Sequence, residues 1–172
     1  FRIWSDTLLA TASDVENDVL TVVDLKLTEG QGVITENGDG SWNFAPSRDW
    51  SGPVSFSYGV TDGQSANTKA ELNHLAIRGN SLYLLTENGT WTETETRAIQ
   101  LGGHLATIND AEENQFLWDQ FSNNTTAAWI GYNQESGRYS WSSGEASTYT
   151  NWHPGCPDFY YELYAHIALY QD

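Results

Sequence analysis

Hydrophobic and polar residues alternate through the first half of the chain. Val54, Phe56, Tyr58 and Val60 recur at every second position, with Ser55, Ser57 and Gly59 between them. A period of two puts one set of side chains on one face of a strand. Residues 20–27 alternate in the same way and place Val23, Leu25 and Leu27 together. Gly30, Gly32 and the Asn-Gly-Asp-Gly run at 37–40 are turn signals, and Asp39-Gly40 favours a tight hairpin. A short strand is expected at 41–45 and a loop at 46–52. After Asp62 and Gly63 comes a last strand at 68–77. Short strands at this spacing predict an antiparallel sandwich.

The period changes after Arg78, Gly79 and Asn80 interrupt the strand pattern, so a first domain at 1–78 and a second at 79–172 are expected. Leu82, Tyr83, Leu84 and Leu85 predict a strand at 81–87. Thr92 and Glu95 have the spacing of a capping box, which opens a helix through Arg97, Ala98, Ile99 and Leu101. Gly102 and Gly103 stop it. The Gly-His-Leu-Ala-Thr-Ile run at 103–108 predicts a strand. Asp110 and Glu113 repeat the box spacing before a stripe of Phe116, Leu117 and Phe121. Turn residues at 122–125 end that helix. A buried strand at 127–131, a short hairpin around Tyr139, Ser140 and Trp141, and a long loop at 151–162 complete the series.

Composition narrows the function. The 172 residues suffice for one large or two small domains, each with a real core. Seven basic and 23 acidic residues give a formal charge of −16. Such a chain repels polyanions, which argues against nucleic acid and anionic membrane surfaces as partners. No apolar run has the length of a membrane span. The charge serves solubility, or it marks acids that divalent cations neutralise. Cys156 is the only cysteine, so no intrachain disulfide forms. The four histidines lack the spacing of a zinc site. Asn88 and Asn124 each stand two residues before a threonine, the pattern of a glycosylation acceptor. The chain starts at Phe1 and has no methionine, which reads as an internal piece of a longer protein.

Two acidic features carry chemistry in the first domain. Asp14, Glu16 and Asp18 alternate before a strand, which puts their oxygens on one side of an extended loop. Asp62 ends the strand that carries Val60 and Thr61. With the Gly-Ser-Trp-Asn-Phe-Ala-Pro run at 40–46 and the Asp-Trp-Ser-Gly-Pro-Val run at 49–54, these features resemble the cadherin-like repeats of large bacterial adhesins. The resemblance implies an all-β cadherin-like or immunoglobulin-like sandwich at 1–78. It also implies Ca2+ held at the domain edge, with Asp14, Glu16, Asp18 and Asp62 as candidate ligands.

The second domain resembles the C-type lectin-like family. The motifs that carry this, in order, are residues 102–108, residues 112–117, Trp129-Ile130-Gly131, residues 139–144 and residues 151–167. The resemblance implies an α+β C-type lectin-like fold at 79–172 that lacks its last strands. In sugar-binding members a Glu-Pro-Asn or Gln-Pro-Asp triplet supplies oxygens to Ca2+ and to sugar hydroxyls. Here the triplet is Cys156-Pro157-Asp158. The resemblance assigns Asp158, and Glu162 further on, as shared Ca2+ and sugar ligands. His153 and Tyr160 are candidate sugar contacts. A thiol is a poor ligand for a hard cation, so Cys156 departs from the pattern.

The function expected is a Ca2+-dependent lectin region of a bacterial surface adhesin, extracellular and non-catalytic. It would attach to cell-surface glycans beside neighbouring domains of a larger adhesin. The acid at the third triplet position points to fucose-type or galactose-type sugars, by resemblance. The rival reading is a lectin-like fold used for protein binding or structure. A glycosidase would need Asp158 and Glu162 to flank a glycosidic bond; both lie on one short loop, which disfavours it.

Overall fold

The computed structural model describes residues 1–10, 12–64, 68–134, 137–156 and 163–169. The chain divides into two compact units, Phe1–Leu84 and Leu85–Asp172. The first is a two-sheet β-sandwich, and the second combines helices with a small sheet.

In the first unit, β1 (Arg2–Trp4) leads into a one-turn helix α1 (Ser5–Leu8). The strands β2 (Thr21–Glu29), β3 (Gly32–Glu36), β4 (Ser41–Pro46), β5 (Gly52–Thr61), β6 (Thr68–Arg78) and β7 (Ser81–Leu84) follow. One sheet has the order β1-β4-β3 and the other β2-β5-β6-β7, and every pairing is antiparallel. Ile3, Trp42 and Phe44 of the first sheet meet Val22, Val54, Phe56, Leu75 and Ile77 of the second in one core. Phe44 and Phe56 pack edge to face, with ring centroids 5.0 Å apart. The alternation of Val54 and Phe56 is thus a core face, as the sequence predicts.

The strand β2 departs from the expected face. Its register against β5 shifts between Val23 and Lys26, and Asp24 has φ of 56°. This bulge inverts the parity of the strand. Before it Val22 is buried, and after it Leu25 and Leu27 pack on the core. Val23 therefore does not share a face with Leu25. The strand expected at 81–87 ends at Leu84 and pairs with β6 through a tight turn at Gly79, which has φ of 58°. The boundary expected between Arg78 and Gly79 falls inside that hairpin.

In the second unit, α2 (Trp91–Gln100) and α3 (Ala111–Phe121) precede β8 (Ala127–Asn133), β9 (Ser140–Trp141) and β10 (Tyr164–Ala168). The sheet order is β10-β8-β9, antiparallel throughout. Trp91, Ile108, Leu117, Phe121, Ile130, Trp141, Ile167 and Leu169 are buried. Residues 103–108 form no strand, contrary to the expectation. Their polar groups are met individually instead. The Gly131 amide donates to the Ala106 carbonyl at 2.9 Å, and the Leu105 amide donates to Glu95 Oε2 at 2.9 Å. Thr107 and Ser143 share a hydroxyl bond of 2.6 Å. Gly131 is obligatory here, because a Cβ would lie 2.7 Å from the Leu105 carbonyl oxygen.

The helix α2 is capped one frame earlier than expected. Thr90, not Thr92, is the N-cap, and Glu93, not Glu95, completes the box. The Thr90 amide donates to Glu93 Oε2 at 2.8 Å. Glu95 is freed to turn inward, where it accepts from Leu105 and meets His104 Nδ1 at 2.7 Å. At α3, Asp110 caps the Glu113 amide as expected, at 2.6 Å. Glu113 reaches back one residue further and accepts from the Asn109 amide at 2.7 Å.

The Thr90 amide and hydroxyl hold the Glu93 carboxyl below its ordinary pKa. A lowered carboxylate stabilises the fold above the ordinary carboxylate range, and this is lost as pH falls through the lowered value. Thr90→Ala should cost the second unit about 1 kcal/mol at neutral pH. The difference between Thr90→Ala and the parent should shrink in acid, as read by hydrogen-exchange protection of the α2 amides at both pH values. An equal difference at both would show that the Glu93 charge is not part of the cap.

Candidate functional site

The C-terminal end of β8 is the place where the long loop is tethered. Tyr132 stacks on Tyr139 with centroids 5.2 Å apart and an interplanar angle of 6°. It also contacts Trp141 at 5.0 Å and Trp152 at 5.3 Å. Trp152 is half-buried against this group. Immediately after it the chain turns sharply. The Cys156 amide donates to the His153 carbonyl at 3.0 Å, and Gly155 has φ of 93°. Proline at the second position and glycine at the third make this a type II turn. At the other end, the Gln134 amide donates to the Leu163 carbonyl at 2.9 Å, and Tyr164 pairs with Asn133. The turn that leads into segment 157–162 therefore starts from Trp152 on Tyr132, and the chain that leaves it is held at Asn133 and Gln134.

Further back, β8 is pinned by two indoles. Trp91 Nε1 donates to the Ile130 carbonyl at 2.8 Å, inside the core. Trp91 also stacks on Tyr164 at 4.7 Å. Trp129 Nε1 donates to the Gly89 carbonyl at 3.0 Å. These contacts fix the strand that carries the loop's feet.

Of the residues expected in the sugar site, His153 is exposed and its Nδ1 lies 3.1 Å from the Pro154 carbonyl oxygen. Asp158, Tyr160 and Glu162 lie outside the described residues. In the first unit, the acids expected on one edge are linked by hydrogen bonds. Asp14 Oδ1 accepts from the Glu16 and Asp18 amides, each at 2.9 Å. Gln64 links Asp62 to Asp18: its amide donates to Asp62 Oδ1 at 2.7 Å and its side chain to Asp18 Oδ2 at 3.0 Å. Glu16 is exposed. The donors are oxygens, the type a hard cation takes. Among the described residues, no three His, Cys, Asp or Glu side chains gather closely enough to hold a metal ion.

Residues 1–78 match the cadherin-like domain family, and residues 87–159 match the lectin C-type domain family. The chain carries a cadherin-like domain followed by a C-type lectin domain.

Curated relatives align with less than their full length. A type-2 ice-structuring protein of Hemitripterus americanus is 34% identical over 79 residues, 45% of this chain and 47% of its own. An alpha-N-acetylgalactosamine-specific lectin of Patiria pectinifera is 37% identical over 92 residues, 48% of this chain and 55% of its own. The human secretory phospholipase A2 receptor is 30% identical over 119 residues, 67% of this chain and 7% of its own. Cadherin-like and C-type lectin domains are generally Ca2+-binding and typically non-enzymatic. Among the described residues, no helix is long and apolar enough to cross a membrane.

Two features of the lectin domain escape the sequence pattern. The first is the aromatic group around Tyr132, whose members are separated by turns and become neighbours only when β8, β9 and the loop converge. The second is the pair of buried acids Glu95 and Glu113. Each is hydrogen-bonded to the amide of the segment that runs between the helices. A signal exists for Glu95, since two overlapping Thr-x-x-Glu frames leave one glutamate without a capping role.

Proposed function

We propose that the C-type lectin domain is a Ca2+-dependent carbohydrate-binding region of a bacterial surface adhesin. It acts outside the cell, without catalysis, and attaches to cell-surface glycans beside other domains of a larger adhesin. Asp158 and Glu162 are the shared Ca2+ and sugar ligands, and His153 and Tyr160 make further sugar contacts. In the cadherin-like domain, Asp14, Glu16, Asp18 and Asp62 are the oxygen donors that would close on Ca2+ when it binds. The observation that carries this reading is that Trp152, ahead of segment 157–162, and Leu163, after it, both rest on residues 132–134. A loop with fixed feet limits the ordering that ligand binding must supply. The alpha-N-acetylgalactosamine-specific lectin of Patiria pectinifera supports glycan binding in general, and a fucose-type or galactose-type sugar is the expectation.

A glycan array read with and without a chelator tests this. Galactose-terminated or fucose-terminated glycans should be retained in Ca2+ and released by chelation. Asp158→Asn should weaken retention about tenfold or more, the loss expected for a charge-assisted contact. Chelation should also lower the melting temperature of the cadherin-like domain, because the metal binds only the folded state and its removal leaves acids repelling one another. Retention that persists in chelator would remove Ca2+ from the site.

A second reading has two observations in its favour. Cys156 occupies the triplet position where an oxygen donor is expected, and one relative is named as an ice-structuring protein rather than a lectin. The domain would then bind protein or serve structure. Ca2+-loaded protein that retains no glycan would establish that reading over the first.

A further inference from the structure

The chain contains two Asn-Gly pairs, Asn37-Gly38 and Asn88-Gly89. Glycine after asparagine leaves the following backbone nitrogen without a neighbouring side chain and free in its dihedral angles. That nitrogen can then reach the asparagine side chain. The fold treats the two pairs differently. Asn37 sits at the tip of the β3–β4 hairpin with both ends of its amide bound. Its Nδ2 donates to Ser41 Oγ at 3.0 Å, and its Oδ1 accepts from Asn43 Nδ2 at 2.9 Å. Its backbone amide donates to the Ser41 carbonyl at 2.9 Å. Asn88 is exposed in the coil before α2, and its side chain has no hydrogen-bond partner among the described residues.

We propose that Asn88 is a site of spontaneous deamidation and that the hairpin network holds Asn37 against the same reaction. The Gly89 nitrogen attacks Cγ of Asn88 and forms a new C–N bond. The Cγ–Nδ2 bond breaks, and Nδ2 leaves as ammonia with the proton from the Gly89 amide. Water opens the resulting succinimide at either carbonyl and yields aspartate or isoaspartate. The only co-reactant is water.

The position makes the two products unequal. Gly89 supplies the carbonyl that Trp129 Nε1 holds at 3.0 Å, and Thr90 caps α2. Aspartate at 88 keeps the backbone path and adds a negative charge next to a helix N-terminus, where it is favourable. Isoaspartate routes the backbone through the side chain and adds a methylene. The Gly89 carbonyl is then displaced from the Trp129 indole, and the Thr90 cap is disturbed with it.

The test ages the whole folded chain at mildly alkaline pH and maps peptides by mass spectrometry that separates aspartate from isoaspartate. Asn88 should convert at least about tenfold faster than Asn37, since the two side-chain hydrogen bonds must break before Asn37 can react. In urea the two rates should converge. Isoaspartate at 88 should also shift tryptophan emission, and Asn88→Gln aged in parallel should show no shift. Comparable or faster conversion of Asn37 in the folded chain overturns the proposal. So does an intact Asn88 once the unfolded control has reacted. Identical emission from the aged parent and the aged variant overturns the link to Trp129.

Discussion

Phe56→Ala should destabilise the cadherin-like domain by about 3–5 kcal/mol, the cost of a large aromatic truncation in a close-packed core. Phe56 is fully buried on the central strand β5 and meets Phe44 of the opposite sheet edge to face at 5.0 Å. Its removal loses the transfer energy of the ring, leaves a cavity between the sheets and deprives Phe44 of its partner. A domain has about 5–15 kcal/mol in total, so the variant approaches the unfolding threshold. Hydrogen exchange of the β5 and β6 amides is the direct readout, because a single melting curve of a chain with two units does not define one free energy. Amides of β5 that keep their protection would show that the two sheets close over the gap.

Trp91→Ala should cost the lectin domain a similar amount, about 3–5 kcal/mol. The side chain is 4% exposed, stacks on Tyr164 and donates its indole N–H to the Ile130 carbonyl. Trp91→Phe separates these contributions. It keeps a ring against Tyr164 and leaves the buried carbonyl without that donor, at about 1–3 kcal/mol. Both variants should also reduce protection at β8 and β10, because Ile130 and Tyr164 belong to those strands. If Trp91→Phe leaves the β8 and β10 amides as protected from exchange as in the parent, the Ile130 carbonyl has found another donor and the indole bond is not what holds β8.

Much of the architecture is legible in local pattern. The alternation of Val54 and Phe56 reads as a core face because a strand's side-chain period depends on the backbone alone. The stop at Gly102, the cap at Asp110 and the turn at 37–40 are equally local, and the structure keeps each of them. The order of motifs across both halves already separates a β-sandwich from an α+β domain. The candidate site is less legible. The sequence points to the loop at 151–162 through its Pro and acid, but not to Tyr132 as the residue on which its entry rests.

What the sequence determines by itself is the kind and order of elements, since propensity, capping chemistry and hydrophobic period act over a few neighbouring residues. Tertiary structure alone decides where two local solutions are nearly equal. Thr90 and Thr92 both offer a capping box, and the frame that lets Glu95 reach the Leu105 amide is the one adopted. Val22 and Val23 are equally apolar, and the bulge against β5 buries the first. Residues 103–108 have the composition of a strand, yet side chains and the β8 amide satisfy their backbone in place of a ladder. In each case the deciding energy is a hydrogen bond or buried side chain from a distant part of the chain, which local sequence does not contain.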